Sequence, residues 1–308
     1  MMRKTRIRSS LFHSSLLAMT LAAGLMATPA MADENLLGYV RGAETLPEGS
    51  WELYQFVTSR SGKKPGNYQA YDTATEVEYG VTDRFSASAA FKTLSINTSG
   101  LYIDAYLPKD EKFTLRPSGI EVEGKYNFLS PAKDDFGLSS ILGLDYMMLD
   151  PHSGQDKDTF SVDLNFQLQK YFLEGELIWL GNFGMESTYA HRKEVSPLPS
   201  EDFDWPTIPE MELEFKVGTG LSYRFIPNWY VGAETLFETE YETEVGQERW
   251  TVFAGPSLHY GSQAWWATLT WLPQIAGGGE AYPEQIETHL HLVEKTQQEV
   301  RMKVGFNF

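Results

Sequence analysis

The sequence predicts an all-β protein: a transmembrane antiparallel up-and-down β-barrel of about 12 strands, with short periplasmic turns and longer extracellular loops. Three observations lead to this fold class. Apolar and polar residues alternate with a period of two along many segments, and the connections between these segments alternate between short and long. The chain also opens with a stretch typical of exported proteins.

The opening stretch has the three parts of a secretory signal peptide. Four basic residues lie within positions 3–8, an apolar run follows over 16–27, and Ala30 and Ala32 form a small-x-small cleavage pattern. The alternative is a membrane anchor, but the apolar run is too short to span a bilayer as a helix. We therefore expect a signal peptide at 1–32 and an outer-membrane β-barrel at 33–308.

The clearest strand lies at residues 211–225. Met211 and Leu213 begin an apolar side, whereas Glu212 and Glu214 begin a polar side. Successive side chains of a strand point to opposite faces, so this segment has one apolar and one charged wall. Segments of this kind are predicted at 50–60, 69–79, 84–95, 117–128, 136–149, 158–170, 176–189, 210–225, 229–241, 249–260, 264–273 and 298–308.

Two of the predicted strands are irregular. In the first, the neighbours Leu53 and Tyr54 are both apolar, so the pattern does not decide which of them faces inward. In the tenth, Pro256 lacks a main-chain N–H donor. We therefore expect a bulge or a weak ladder around Pro256.

The connections separate into two groups. Short ones are predicted at 80–83, 129–135, 171–175, 226–228 and 261–263, and aromatic residues flank most of them. Longer ones are predicted at 61–68, 96–116, 150–157, 190–209 and 274–297, with a modest one at 242–248. This alternation is typical of outer-membrane barrels. Pro283 would suit the first turn of a short helix within 283–297, but a solvated loop is the default interpretation. The roles of 190–209 and 274–297 stay open.

The alternation alone does not tell which face points inward, because a soluble ligand-binding barrel hides its apolar face inside. Export, the even and high strand number, and aromatics at strand ends favour a membrane barrel, whose apolar face contacts lipid. The polar residues then line the lumen. The predicted lumen-lining residues are Asp72, Glu76, Glu78, Lys92, Glu121, Glu123, Lys125, Asp163, Glu212, Glu214, Lys216, Arg224, Glu234, Glu238, Arg301 and Lys303.

The charge of the chain narrows its partners. Removal of residues 1–32 removes four basic residues and no acidic one, so the remaining chain has twice as many acidic as basic side chains. Such a surface repels phosphate backbones, so nucleic acid is excluded as a partner. The absence of cysteine excludes disulfides and thiolate chemistry.

Residues 301–308, "RMKVGFNF", resemble the C-terminal assembly signal of Gram-negative outer-membrane β-barrel proteins. Phe308 occupies the terminal aromatic position, with Phe306 and Val304 at the preceding apolar positions. The stretches "ETLPEGSWELYQF" and "YDTATEVEYGVTDRFSASAAF" resemble a poorly characterised proteobacterial barrel family, which is loosely similar to phenol meta-degradation pathway outer-membrane proteins. The resemblance implies recognition by the barrel assembly machinery and a transport role. It supplies no substrate and no catalytic residues.

Candidate reactive residues are few. His152 beside Ser153 is a weak pattern for a serine hydrolase. His289 and His291 with Glu287 have metal-ligand spacing, but solvated loop residues are the favoured interpretation. Gly218 and Gly220 do not form a nucleotide loop, and we expect them to relieve crowding inside the barrel. No catalytic residue, metal ligand or cofactor is therefore predicted.

Three functions remain. The first is a channel or transporter for small solutes, with cation preference because acids predominate in the lumen. The second is a structural or surface-contact barrel whose lumen is closed by ion pairs. The third and most distant is a lipid-modifying enzyme. The expected partners are outer-membrane lipids and lipopolysaccharide, the assembly machinery and a small-molecule solute.

Overall fold

The structure, a computed structural model, describes residues 35–101, 106–200, 205–206, 208–242, 246–281 and 289–308. The predicted signal peptide lies outside the described residues. Each strand pairs antiparallel with its sequence neighbours, and β1 pairs with β12 to close the barrel, which confirms the predicted fold class. Within the described residues the strands are β1 (Trp51–Ser61), β2 (Asn67–Thr82), β3 (Phe85–Ser99), β4 (Lys112–Leu129), β5 (Gly137–Leu149), β6 (Asp156–Phe172), β7 (Leu177–Arg192), β8 (Glu210–Ile226), β9 (Trp229–Glu242), β10 (Gly246–Gly261), β11 (Trp265–Gly279) and β12 (Gln298–Asn307).

The barrel has two rims. The turn rim carries the start of β1, the end of β12 and the short connections at 83–84, 130–136, 173–176, 227–228 and 262–264. The loop rim carries the described parts of the connections at 62–66, 100–111, 150–155, 193–209 and 280–297. Residues 243–245, between β9 and β10, lie outside the described residues. None of the described residues belongs to a helix long and apolar enough to span a membrane.

The outer face of the wall is apolar. Large side chains such as Ile120, Leu142 and Phe91 are about half exposed on successive strands. Aromatic pairs lie at the turn rim, where the Trp51 and Tyr79 rings are 4.5 Å apart. An outward apolar band with an aromatic edge matches the cross-section of a bilayer, in which hydrocarbon meets headgroups.

The structure resolves both predicted irregularities. In β1, Trp51 and Leu53 point outward, whereas Tyr54 is buried inside, with its ring 5.6 Å from that of Trp266. In β10, the pairing with β11 stops after Phe253 and resumes at Ser257, which skips Pro256. The pairing of Pro256 with β9 continues, so the weak ladder is confined to one side.

Residues 35–46, here called the inner segment, enter the lumen at the turn rim before β1 begins. Leu36, Leu37 and Val40 pack against Ile178 and Leu180 on the inner face of β7. The segment forms neither a helix nor a strand. The sequence prediction missed this element, because it treated the lumen as lined by strands alone.

The connection between β11 and β12 also differs from its prediction. β11 continues to Gly279, beyond the predicted end at 273. Residues 289–297, here called the lid segment, fold back onto the wall and form no helix. The start of the possible helix after Pro283 lies outside the described residues. The Gln274 side chain holds the lid segment through the main chain of His291 and Thr296, which lets β11 continue without β12 beside it.

Candidate functional site

The charged residues predicted for the lumen lie on the inner face of the barrel. Asp163 and Arg224 lie two positions after Ser161 and Ser222 on their strands, and both serines are buried inside. The two charged residues therefore share the inward face with these serines. The remaining candidates contact other groups within the lumen or line its cavities. Phe306 and Phe308, from the predicted assembly signal, are 44% and 77% exposed on the outer side.

Two cavities occupy the lumen of the described chain. The first has a volume of about 360 Å³ and lies against the inner segment, whose Tyr39 and Arg41 form part of its wall. Its acidic residues Asp72, Glu76, Glu121 and Glu123 are balanced by Arg41, Lys92, Arg301 and Lys303. Arg301 lies 3.7 Å from the centre of the Tyr39 ring and donates to Thr58 Oγ1 at 2.9 Å.

The second cavity, of about 300 Å³, lies toward the loop rim. Among the described residues its wall has eleven carboxylates but six lysines and arginines. Lys92 and Met147 line both cavities. Lys92 forms an ion pair with Glu121 at 2.9 Å and another with Asp145, so a charged cluster stands where the cavities adjoin.

Glu234, on β9, holds the inner segment from the wall. Its carboxylate accepts the main-chain N–H groups of Gly38 at 2.7 Å, Tyr39 at 2.9 Å and Val40 at 2.9 Å. Ser257 Oγ donates to the same carboxylate at 3.0 Å. Hydrogen bonds to a charged acceptor are stronger than neutral ones, so Glu234 is a strong anchor.

Side-chain amides from the wall bind the next residues of the inner segment. Asn182 Oδ1 accepts the N–H of Arg41 at 2.7 Å, and Asn182 Nδ2 donates to the Arg41 carbonyl at 2.8 Å. Gln169 and Asn127 bind the N–H and the carbonyl of Ala43 in the same way, at 2.7 and 2.6 Å. The main chain of a strandless segment is thereby satisfied inside the barrel.

Three wall glycines make room for the inner segment. A Cβ atom at Gly218 would lie 2.9 Å from Val40 Cγ2, and one at Gly232 would lie 2.7 Å from Leu37 Cδ2. Gly220 faces Leu37 in the same manner. Gly218 and Gly220 were expected to relieve crowding, and the structure identifies what would crowd them: two aliphatic side chains of the inner segment.

Buried ion pairs attach the lid segment to the wall. Arg249 lies between Glu240 at 2.6 Å and Glu294 at 2.7 Å, and Lys295 reaches Glu238 at 3.0 Å. Burial opposes the ionisation of Glu294, but Arg249 holds the pKa of that carboxyl below its ordinary range. Burial likewise opposes the charge on Lys295, and Glu238 with Glu214 raises the pKa of that amine.

The reactive candidates do not assemble into a site. Ser153 Oγ accepts the N–H of Gln155 at 3.1 Å, and burial with the nearby Lys63 lowers the pKa of His152. His289 is exposed, but His291 is fully buried beside Glu294, so the expectation of a solvated residue is wrong there. Glu287 lies outside the described residues. No group of three or more metal-ligating side chains occurs in the part of the chain that the structure describes.

The barrel has structural relatives of one class. The COG4313 outer membrane channel from Pseudomonas putida F1 has a TM-score of 0.57 at 12% identity, covering 86% of this chain and 98% of that one. The β domain of the Bordetella autotransporter BrkA has a TM-score of 0.52 at 10% identity, covering 85% and 100%. The protein has the fold of outer-membrane β-barrels, as the general resemblance of the sequence implied.

The family assignment follows from the sequence. Residues 29–308 match the family of unknown function DUF6662, and the chain belongs to that family. No curated protein matches the chain significantly. The narrower resemblance to phenol-pathway barrels is not shown by these comparisons.

Proposed function

We propose that the protein is a narrow, cation-preferring channel for small solutes, closed at the turn rim by its inner segment. The observation that carries this proposal is the pair of adjoining lumen cavities, which share Lys92 and Met147. In this proposal a path between the rims opens when the inner segment and the lid segment move aside, and the Lys92 cluster lies along that path. The description of the Pseudomonas putida barrel as an outer membrane channel supports the same function.

Cation preference follows from the charge of the loop-rim cavity. Carboxylates there outnumber lysines and arginines by eleven to six among the described residues. Rings of acidic side chains favour cations in membrane pores. The turn-rim cavity is balanced in charge and adds no opposite preference.

The turn rim faces the periplasm in this proposal, and residues 1–32 direct export before residues 33–308 form the barrel. Lipids and lipopolysaccharide contact the outer face, while Val304, Phe306 and Phe308 are recognised by the assembly machinery. We assign no catalytic reaction to the barrel. The resemblance to phenol-pathway barrels agrees with a transport role and names no solute.

A structural barrel with a permanently closed lumen is the second candidate. It is favoured by the number of wall side chains that hold residues 38–43 and by the buried Arg249 cluster under the lid segment. In this alternative, the inner segment is a permanent part of the core and the outer surface carries the function.

Reconstitution into planar bilayers separates the two candidates. The channel predicts discrete conductance steps and, in a potassium chloride gradient, a reversal potential that reports cation preference. Liposome swelling with small uncharged sugars measures permeability through the same path without an applied voltage. Absence of both conductance and swelling would favour the structural barrel, and anion preference would contradict the assignment of selectivity.

A further inference from the structure

We propose that the turn-rim half of the lumen is a binding site for short peptides in a bent conformation, and that residues 35–43, which bend over 36–40, occupy it as an internal ligand. This inference rests on the proposed channel function and names the class of solute. Its basis is that the lumen wall binds the inner segment chiefly through main-chain groups, which every peptide possesses.

Wall side chains contact the main chain of six consecutive residues. Glu234 accepts the N–H groups of Gly38, Tyr39 and Val40. Asn182 binds both main-chain groups of Arg41, and Lys125 Nζ donates to the Gly42 carbonyl at 2.8 Å. The polar groups of Ala43 complete the series on Gln169 and Asn127.

This arrangement is unusual for a folded chain. Most main-chain groups in proteins bind other main-chain groups, in helices and ladders. Inside a closed barrel the main-chain groups of the wall already pair with neighbouring strands, so only wall side chains can hydrogen-bond a segment within the lumen. Three amide side chains, one carboxylate and the Lys125 amine, each presenting the complementary atom, make a receptor for the main chain of a bent peptide rather than a filled core.

The same wall defines which side chains fit. Gly218, Gly220 and Gly232 leave space that Leu37 and Val40 fill, so aliphatic residues are preferred opposite these glycines. Arg41 extends from the segment to Glu123 at 2.8 Å, which provides a place for a basic residue. Residues 35–43 contain one basic and no acidic residue. The expected ligand is therefore a short aliphatic peptide without net negative charge.

The test uses the full-length chain, whose lack of cysteine makes Val40→Cys a single reporter of the inner segment. The rate at which a thiol reagent modifies position 40 is measured in detergent with a synthetic peptide of residues 35–43. A competitor at ten times its dissociation constant shifts a two-state occupancy about tenfold, so the labelling rate should rise by roughly that factor. The control peptide has the same side chains, with N-methyl groups on the amides matching Gly38, Tyr39 and Val40.

A rise with the native peptide and none with the methylated one supports the peptide site. Equal effects of both peptides, or no effect of either, would overturn it. Fluorescence anisotropy of a labelled peptide, displaced by the unlabelled native peptide but not by the methylated one, provides a second measurement that does not depend on the reporter. Bilayer conductance of the same preparation separates the two proposals. Conductance without a peptide response overturns the peptide site alone, whereas a peptide response without conductance supports the site and contradicts the channel.

Discussion

The carboxylate of Glu234 accepts the main-chain N–H of Gly38 at 2.7 Å, although the two residues are 196 positions apart in sequence. This contact joins the middle of the wall to a segment that precedes the first strand. Both residues are buried, and Gly38 itself fits closely against Thr270, where a Cβ atom would lie 2.6 Å from the threonine side chain. In the proposed channel, the path through the lumen therefore depends on whether the inner segment stays in place.

Glu234→Gln should release the inner segment. The amide keeps one acceptor oxygen but loses the charge, and a hydrogen bond to a charged group contributes about 1.5–3 kcal/mol. The ratio of seated to released segment should fall by roughly ten- to hundredfold. The rate of thiol labelling at a Val40→Cys reporter measures this ratio. Glu121→Gln, which removes an inward charge that contacts Lys92, is the matched control. Equal labelling of both variants would count against the anchor.

Gly218→Ala should unseat the segment by contact alone. The new Cβ would lie 2.9 Å from Val40 Cγ2, and overpacking of this kind costs about 1–3 kcal/mol. Adding Val40→Ala removes the opposing methyl groups and should restore a low open probability in bilayers. Gly143→Ala is the control, because its Cβ would lie 3.5 Å from the nearest described atom, Asp163 Cβ. If Val40→Ala does not lower the open probability of Gly218→Ala, the effect of Gly218→Ala does not arise from contact with Val40.

Seating should strengthen in acid through Glu44. Burial raises the pKa of this carboxyl, against the opposing effects of Lys125 and of the Tyr171 hydroxyl at 3.5 Å. A raised pKa means that the seated state binds the proton more tightly than the released state. The contribution of Glu44 to the stability of the seated segment is therefore fully present below the ordinary carboxyl pKa and is lost as pH rises through the raised value. Open probability should fall on acidification, and less so in Glu44→Gln; identical pH profiles would contradict this.

Deletion of Phe308 should impair assembly more than permeability. Its side chain is 77% exposed and its main-chain N–H bonds the Trp51 carbonyl at 2.9 Å, so it adds little to the lumen. Assembly is measured as the amount of folded protein in the outer membrane, detected by heat-modifiability on gels, with Phe308→Tyr as the control. Permeability is measured as the conductance of the purified protein. Normal levels of the truncated protein would argue against a role for Phe308 as signal.

Strands could be predicted from the sequence because each carries its evidence locally. The alternation of Leu213 and Glu214 reflects a wall between lipid and a wet lumen, and no distant partner is needed to detect it. The end of β11 was missed for a physical reason. Pro273 and the glycines that follow resemble a turn, but Gln274 and the lid segment replace the missing neighbour.

The inner segment could not be predicted in this way. Leu36, Leu37 and Val40 show no period, and the polar partners of the segment lie mainly on β4, β6, β7 and β9. Its one signal was the presence of Gly218 and Gly220 on a face that should carry polar side chains. Likewise His291 was expected to be solvated, because only the folded lid segment shows that this loop residue is buried.

The central claim is that the inner segment closes a channel, and a reversible lock tests it most directly. A Cβ atom at Gly218 would lie 2.9 Å from Val40 Cγ2, a spacing that suits a disulfide between Val40→Cys and Gly218→Cys, and the chain has no other cysteine. Single-channel conductance is recorded under oxidising conditions and again after addition of dithiothreitol. The account predicts few or no openings in the oxidised protein and a return of openings on reduction. The same conductance in both states, or none in either, would contradict it.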